Sequence, residues 1–440
     1  MNRYGGLRPE SAWALSILIL IGMNASSSAQ DLKSLEKIYA PKLEKILKEN
    51  IASFWYPKCL DRENGGYIIS FGPQGQILQG GTKGIVTQSR MVWLFSRMAR
   101  EGYGRAEYLE AADLGYRFLM ERMWDPKNGG FYWEVDGSGD QKLKPMKHLY
   151  GQSFALYGIS EYYLASKKPE VLQFAVEFFN LLDTKAHDKE YGGYIEFFTP
   201  DWKRPRPDTV NYMDGARSNL KLMNTHLHLL EAMTTFYRAS RLPLARERLL
   251  ELIAIESNSA VRKDIGACTD QYERNWTPLL FPQTARASYG HDLENIWLLI
   301  NACQAANVPS SIFGDLFRTL FDYSLRYGYD AKDGGFYESG PLGKPADRLN
   351  KTWWVEAEVL VSSLYMFRMT GDQKYVRTFE ETFKFVDTHQ VDWKFGEWFE
   401  TITPNGKAIG NKGHIWKAGY HNGRAMMECL SILKGEETIQ

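Results

Sequence analysis

Residues 61–67 read DRENGGY, and the same wording returns as DPKNGGF at 125–131, DKEYGGY at 188–194 and DAKDGGF at 330–336, with a worn copy, DWKFGEW, at 392–398. Each copy has an acidic residue, a short spacer, a glycine pair and then an aromatic residue. Glycine supplies the positive φ of a tight turn and the aromatic residues favour extended chain, so each copy predicts a short hairpin. The first glycines, Gly65, Gly129, Gly192, Gly334 and Gly396, are separated by 64, 63, 142 and 62 residues. The long interval spans about two periods and points to a drifted copy near Gly266.

Between the turns, apolar positions recur at the helical period. The pattern marks helices over 84–101, 105–123, 149–166, 169–184, 216–240, 290–307, 312–328, 353–370, 373–389 and 418–434. Each repeat is therefore two helices plus a glycine-turn hairpin, and six repeats account for residues 31–435. A two-helix unit cannot bury its apolar surface alone, so the units must stack. Open solenoids need polar caps and run to shorter periods. Six units of about sixty residues instead match an all-α (α/α)6 barrel with short β-hairpins at one end. No Pro/Gly/Ser-rich linker divides the chain, so residues 30–440 are expected to form one domain.

Residues 1–29 read as a signal peptide. Arg3 and Arg8 precede an apolar run from Ala12 to Met23, and Ser27 and Ala29 place cleavage before Gln30. The mature chain is expected to be exported, periplasmic or secreted, with no membrane span of its own. Lys+Arg and Asp+Glu both number 53, which gives no electrostatic reason to bind nucleic acid or an anionic membrane. The four cysteines, Cys59, Cys268, Cys303 and Cys429, show no metal-type spacing and read as buried thiols, with one bridge left open.

Three of the eight histidines stand in unusual settings. His228 lies in NTHLHLLEA inside an apolar helix, His291 opens GHDLENIW, and His421 sits in WKAGYHNGRA. Glu231 and Glu294 follow His228 and His291 by three residues, on the same helix face. A carboxylate beside an imidazole fixes its tautomer, which suits proton transfer. His226 and His228 are two apart and diverge, so at most one faces a cavity. No metal-ligand pattern, GxSxG elbow or phosphate loop occurs, so no metal and no cofactor are expected. Glycoside hydrolysis needs two carboxylates across a cleft, for which Glu294, Glu356 and Glu358 are candidates. Trp297, Trp354 and Trp416 suit either sugar stacking or core filling.

Taken in order, RMVW (90–93), KLMNTHLHLLEA (221–232), GHDLE (290–294) with Trp297, KTWWVEAE (351–358) and WKAGYHNGRA (416–425) resemble the cellobiose 2-epimerases of the N-acylglucosamine 2-epimerase superfamily. The resemblance spans essentially the whole mature chain. It implies that His291 and His421 are the acid/base pair at the two faces of sugar C2, with Glu294 as the partner of His291. His228 is then the third active-site histidine, flanked by Asn224 four residues before and Glu231 three after. Arg90 resembles the arginine that binds the enediolate oxygens. Trp354 and Trp416 resemble sugar-stacking residues and Trp297 a pocket wall, with Asn224 and Glu358 completing the substrate-binding set.

Glu356 stands where the family usually has Gln, and this extra carboxylate is expected to alter the subsite for the second sugar. The implied reaction is inversion at C2 of the reducing-end residue of a β-1,4-linked disaccharide. The expected partner is thus a small carbohydrate bound by a monomer or weak dimer. Mannobiose in place of cellobiose, an N-acylglucosamine, aldose–ketose isomerisation, glycoside hydrolysis and a non-catalytic sugar-binding barrel stay open at this stage.

Overall fold

The computed structural model describes residues 30–213 and 215–436; the expected leader, 1–29, lies outside them. The helices are α1 (30–55), α2 (Ile85–Arg100), α3 (Arg105–Phe118, running on through Leu119–Met123), α4 (Leu149–Ser166), α5 (Pro169–Ala186) and α6 (Met223–Ser240). They continue as α7 (Pro243–Ala254, running on through Ile255–Ser259), α8 (Tyr289–Ala306), α9 (Gly314–Gly328), α10 (Trp353–Thr370), α11 (Gln373–Phe385, running on through Val386–Gln390) and α12 (His421–Leu433).

Burial sorts them into two rings. The even-numbered helices are buried on nearly every side: all of α2 from Ile85 to Ala99 is covered, and so is all of α12. The odd-numbered ones are amphipathic. In α11 the buried positions Tyr375, Val376, Phe379 and Phe383 fall on one helical stripe. Six inner and six outer helices are thus the (α/α)6 barrel that the repeat predicts. Pro169 and Pro243 start outer helices at the first turn, where no amide hydrogen is needed. The ring closes where Leu94 of α2 packs on Gly423 of α12, Arg97 pairs with Glu428 at 3.3 Å, and Phe71 bridges Gly413.

Two differences from the sequence pattern stand out. Helices α1 and α7 are absent from the predicted set; Pro41 breaks the pattern of the first although its backbone stays helical. The helix predicted from 216 starts at Met223 instead, because Lys221–Leu222 pairs antiparallel with Gln271–Tyr272. The two residues before most inner helices do the same with the next unit: Lys83 lies opposite Val135, Lys147 opposite Phe198 and Lys351 opposite Ile402.

Among the described residues, the six hairpins of the repeat stand at one end, each pairing residues seven apart: Leu60 with Tyr67, Trp124 with Phe131, His187 with Tyr194, Val261 with Cys268, Tyr329 with Phe336 and Val391 with Trp398. The fourth contains Gly266, the drifted copy. Five of the hairpins are gripped by the fourth residue of an inner helix. Gln88 accepts from Tyr67 N at 2.9 Å and donates to its carbonyl at 2.8 Å; Gln152 does the same for Phe131. His226, Asp292 and Glu356 accept from the amides of Tyr194, Cys268 and Phe336. The second glycine of the pair leaves room for this side chain: a Cβ on Gly66 would sit 2.6 Å from Gln88 Oε1. In the worn copy Glu397 takes the glycine's place at φ 60 and turns its own carboxylate inward to Trp55, Lys417 and Asn422.

Glu356 therefore grips a hairpin; the sequence-based expectation that it shapes a sugar subsite is corrected. Its Oε2 is buried without a partner, where the glutamines of the other copies donate to a carbonyl. Lys351 and Asp330, paired with each other at 2.8 Å, and Tyr329 are the charged or titratable groups that face it. Burial pushes its carboxyl up to about 8. The folded chain thus holds a proton that the unfolded chain releases near pH 4.3, and stability falls as pH rises between the two values, by about 1.4 kcal/mol per unit. Glu356→Gln should show a melting-temperature advantage over the wild type that is small at pH 5, grows to pH 8 and then levels, read by differential scanning calorimetry.

Candidate active site

The fourth residue of an inner helix points at its hairpin. Two residues on, rotated by about 200°, the sixth faces the barrel axis. The sixth residues are Arg90, Phe154, His228, Glu294 and Glu358, and Arg424 of α12 joins them. They form a belt just inside the hairpin end: Arg90 lies over the Phe154 ring at 4.3 Å and Phe154 meets His228 at 4.7 Å. His291 and His421 sit three residues before Glu294 and Arg424, on the same face, so they stand above this belt.

Arg424 is the centre of the site's floor. Its Nη2 donates to Glu294 at 2.5 Å and to Glu358 at 2.7 Å, and its Nη1 donates to Glu231 and Tyr420. Trp297 and Tyr420 face the guanidinium at 4.6 and 4.4 Å. The carboxylates pass this anchoring on to the histidines. Glu231 bonds His228 Nδ1 at 3.0 Å, and Glu358 bonds His421 Nδ1 at 2.7 Å while its other oxygen accepts from Trp297 Nε1 at 2.8 Å. With Nδ1 donating to the Glu358 carboxylate, Nε2 of His421 carries the lone pair.

Burial opposes ionisation of Glu231, but Arg424, His228 and Tyr420 outweigh it and hold its carboxyl at about 2. Burial, reinforced by the Glu358 charge, raises Glu294 to about 7. Burial lowers His291 to about 3, and burial together with Arg90 and Arg424 lowers His421 well below its ordinary value. Both imidazoles are therefore neutral bases at neutral pH. Both lie against one indole, with the Trp354 ring 4.7 Å from His291 and 5.8 Å from His421.

Arg90 donates to Tyr150 Oη at 3.1 Å and to the Trp416 carbonyl at 2.9 Å, and among the described residues no carboxylate pairs with it. Trp354 and Trp416 are half-buried at the mouth, and Asn224 Oδ1 is buried without a partner. Three predicted residues are placed differently from the expectation. Glu294 bonds Arg424 and not His291, Glu358 tethers His421 and Trp297 from below, and Trp297 is 2% exposed beneath the floor. The i, i+3 spacing did not bring Glu294 to His291 because the fixed charge of Arg424 draws the carboxylate across the axis. Sequence reasoning missed Arg424, Tyr420 and Tyr150. The first stands three residues after His421, a spacing it used elsewhere.

Glu294, Glu358 and His421 also converge tightly enough to ligate a metal ion, the one such set among the described residues. The Arg424 guanidinium already supplies the positive charge at that point. Nor do the two glutamates flank a cleft, as glycoside hydrolysis requires, since one guanidinium nitrogen bridges them.

A barrel mouth that sets two histidines beside one indole, near a buried arginine that pairs with no carboxylate among the described residues, belongs to an isomerase, a carbohydrate 2-epimerase. The sequence profile described as N-acylglucosamine 2-epimerase (GlcNAc 2-epimerase) matches residues 66–425, and the chain belongs to that family. It is 29% identical to the cellobiose 2-epimerase of Bacteroides fragilis over 400 residues, 90% of this chain and 100% of the relative. It is 30% identical to that of Dictyoglomus turgidum, over 90% of this chain and 99% of the relative. The solved cellobiose 2-epimerase of Spirochaeta thermophila superposes with a TM-score of 0.82 at 31% identity, covering 92% of this chain and 98% of that one. A cold-adapted family 8 xylanase, 10% identical with a TM-score of 0.56, shares the fold alone.

Removing the cation from among three buried carboxyl groups leaves negative charge uncompensated. Arg424→Met should therefore destabilise the fold by about 3–5 kcal/mol, seen as a lower denaturation midpoint in urea.

Proposed function

We propose that this enzyme inverts C2 of the reducing-end residue of a β-1,4-linked disaccharide, interconverting cellobiose and glucosyl-mannose through a cis-enediolate. The observation that carries the reading is the pair of neutral imidazoles on α8 and α12, both against the Trp354 indole. Epimerisation through a planar intermediate needs one base on each face of C2, and two histidines from different helices meet that need.

The pyranose must open first, because only the aldehyde acidifies the C2 hydrogen. His228, oriented by Glu231, serves the ring oxygen or anomeric hydroxyl. One of His291 and His421 then removes the proton, and the other delivers one to the opposite face. Arg90 holds the developing oxyanion with a permanent, planar charge. The buried aromatic surroundings of Arg90 strengthen that interaction. The chain's own groups supply each step, so the enzyme is proposed to work without a cofactor. The leader read in residues 1–29 goes with an exported enzyme acting on fragments of external β-glucan or β-mannan, which keeps mannobiose beside cellobiose as substrate.

Product analysis on cellobiose, mannobiose, lactose, glucose, mannose and N-acetylglucosamine in deuterated water tests the reading. The expected result is a C2 epimer carrying deuterium; free monosaccharide from a disaccharide signifies hydrolysis, and no conversion of any sugar rejects the epimerase. His291→Asn and His421→Asn should each abolish inversion, while each still exchanges the C2 hydrogen of a different epimer, followed by NMR. Robust inversion by either variant rules out the two-base scheme. Arg90→Lys should lose about 100-fold or more in turnover, in the range of an oxyanion donor, with its melting temperature nearly unchanged. Near-normal turnover would make Arg90 a structural residue.

A further inference from the structure

The two-histidine scheme leaves one proton unexplained. If one neutral imidazole takes the C2 proton, the other must already hold a proton to return to the opposite face. Both imidazoles are neutral in the resting site, so that proton has to be stored elsewhere. The floor of the site shows where. Three buried carboxyls surround one guanidinium, and their six oxygens do not meet donors equally. Both oxygens of Glu231 are met by donors: Oε1 by Arg424 and Tyr420, Oε2 by His228 and Tyr420. Both oxygens of Glu358 are met as well: Oε1 by His421 and Arg424, Oε2 by Trp297. These are the coordination shells of ionised carboxylates. Glu294 differs. Its Oε1 accepts from Arg424, but its Oε2 is buried with no donor. A buried carboxylate oxygen with no donor is costly, and a proton on it removes the charge.

We infer that Glu294 is a neutral carboxylic acid in the resting enzyme, protonated on Oε2, and that it stores the transferable proton used by His291, one helical turn earlier on the same face of α8. The inference rests on the epimerase reading above. The charges that face Glu294 agree with it. Arg424 and His228 favour its ionised form, whereas burial and the carboxylates of Glu358 and Glu231 oppose it and prevail.

With substrate bound, the Glu294 Oε2 proton passes to His291, leaving a carboxylate on Arg424. His421 takes the C2 hydrogen as a proton, and the C–H electron pair enters the enediolate. The imidazolium of His291 then gives its proton to the other face of C2, forming the new C–H bond. The surplus proton now resides on His421, against the Glu358 carboxylate. This state is the one that runs the opposite direction, so the two directions start from two positions of a single proton.

Glu294→Gln tests this, because glutamine keeps the acceptor for Arg424 and the shape of the acid but cannot release a proton. Each neutral histidine could still remove and return a C2 proton on its own face. Expected, therefore, is a fall in inversion of about 100-fold or more, the scale of acid–base catalysis, with C2 deuterium exchange kept within about tenfold. Glu294→Asp, which restores an ionisable carboxyl, should recover inversion relative to exchange. Inversion by Glu294→Gln within threefold of wild type overturns the proposal, and so does a parallel loss of inversion and exchange, the mark of a purely structural role. A second arm needs no substrate. The infrared difference spectrum of wild type minus Glu294→Gln at pH 6 should contain the carbonyl band of a protonated carboxylic acid, and a carboxylate band in its place also overturns the proposal. A wild type that neither exchanges nor inverts any sugar of the panel rejects the epimerase reading instead, with the infrared result standing separately.

Discussion

One buried guanidinium organises this molecule. Arg424 reaches across the barrel axis and collects carboxylates from α6, α8 and α10, so a single side chain ties half of the inner ring to α12. Three acidic side chains at 0–4% exposure could not share so small a volume without it. Because Glu231 and Glu358 are fixed by this cation, the histidines they carry are fixed too, in tautomer and direction. The arrangement separates two arginines that composition treats alike. Arg424 is consumed by its partners and holds the site together, while Arg90 is held by a phenol, a carbonyl and two aromatic faces and keeps its charge available.

The repeat explains how an asymmetric site arises in a ring of similar units. In five of them the fourth residue of the inner helix grips a hairpin, and this position accepts Gln, His, Asp or Glu as long as one acceptor atom reaches a backbone amide. The sixth residue is released from that duty and faces the axis. Arg, Phe, His and Glu all occur there within the same scaffold. The same division explains why His226 and His228, neighbours in NTHLHLLEA, have unrelated tasks: the first binds Tyr194 N at 2.9 Å, the second sits in the site.

Much of this was legible. The glycine pairs marked the hairpins, including the drifted one at Gly266, because a tight turn needs positive φ wherever it lies in the fold. Helices α1 and α7 were harder to read, since Pro41 interrupts one pattern and the other is short. The divergence of His226 and His228 followed from helix geometry alone. What misled was spacing used as a proxy for contact. Glu294 shares a face with His291, yet its carboxylate goes to a stronger partner contributed by a helix 130 residues away. Glu356, read as part of a sugar subsite, turned out to lie on the far side of its helix.

The sequence by itself determined the repeat, the double ring of helices and the hairpins at one end, and it singled out His228, His291 and His421. The repeat and the rings follow from local periodicity, which a chain carries wherever it folds; the histidines were marked by short motifs. Only the tertiary structure decided which carboxyl serves which imidazole, which arginine is left without a carboxylate among the described residues, and which acid has an oxygen that no donor meets. Those outcomes depend on competition among charges brought from different helices into one water-poor volume, where the strongest available cation fixes the positions of the rest.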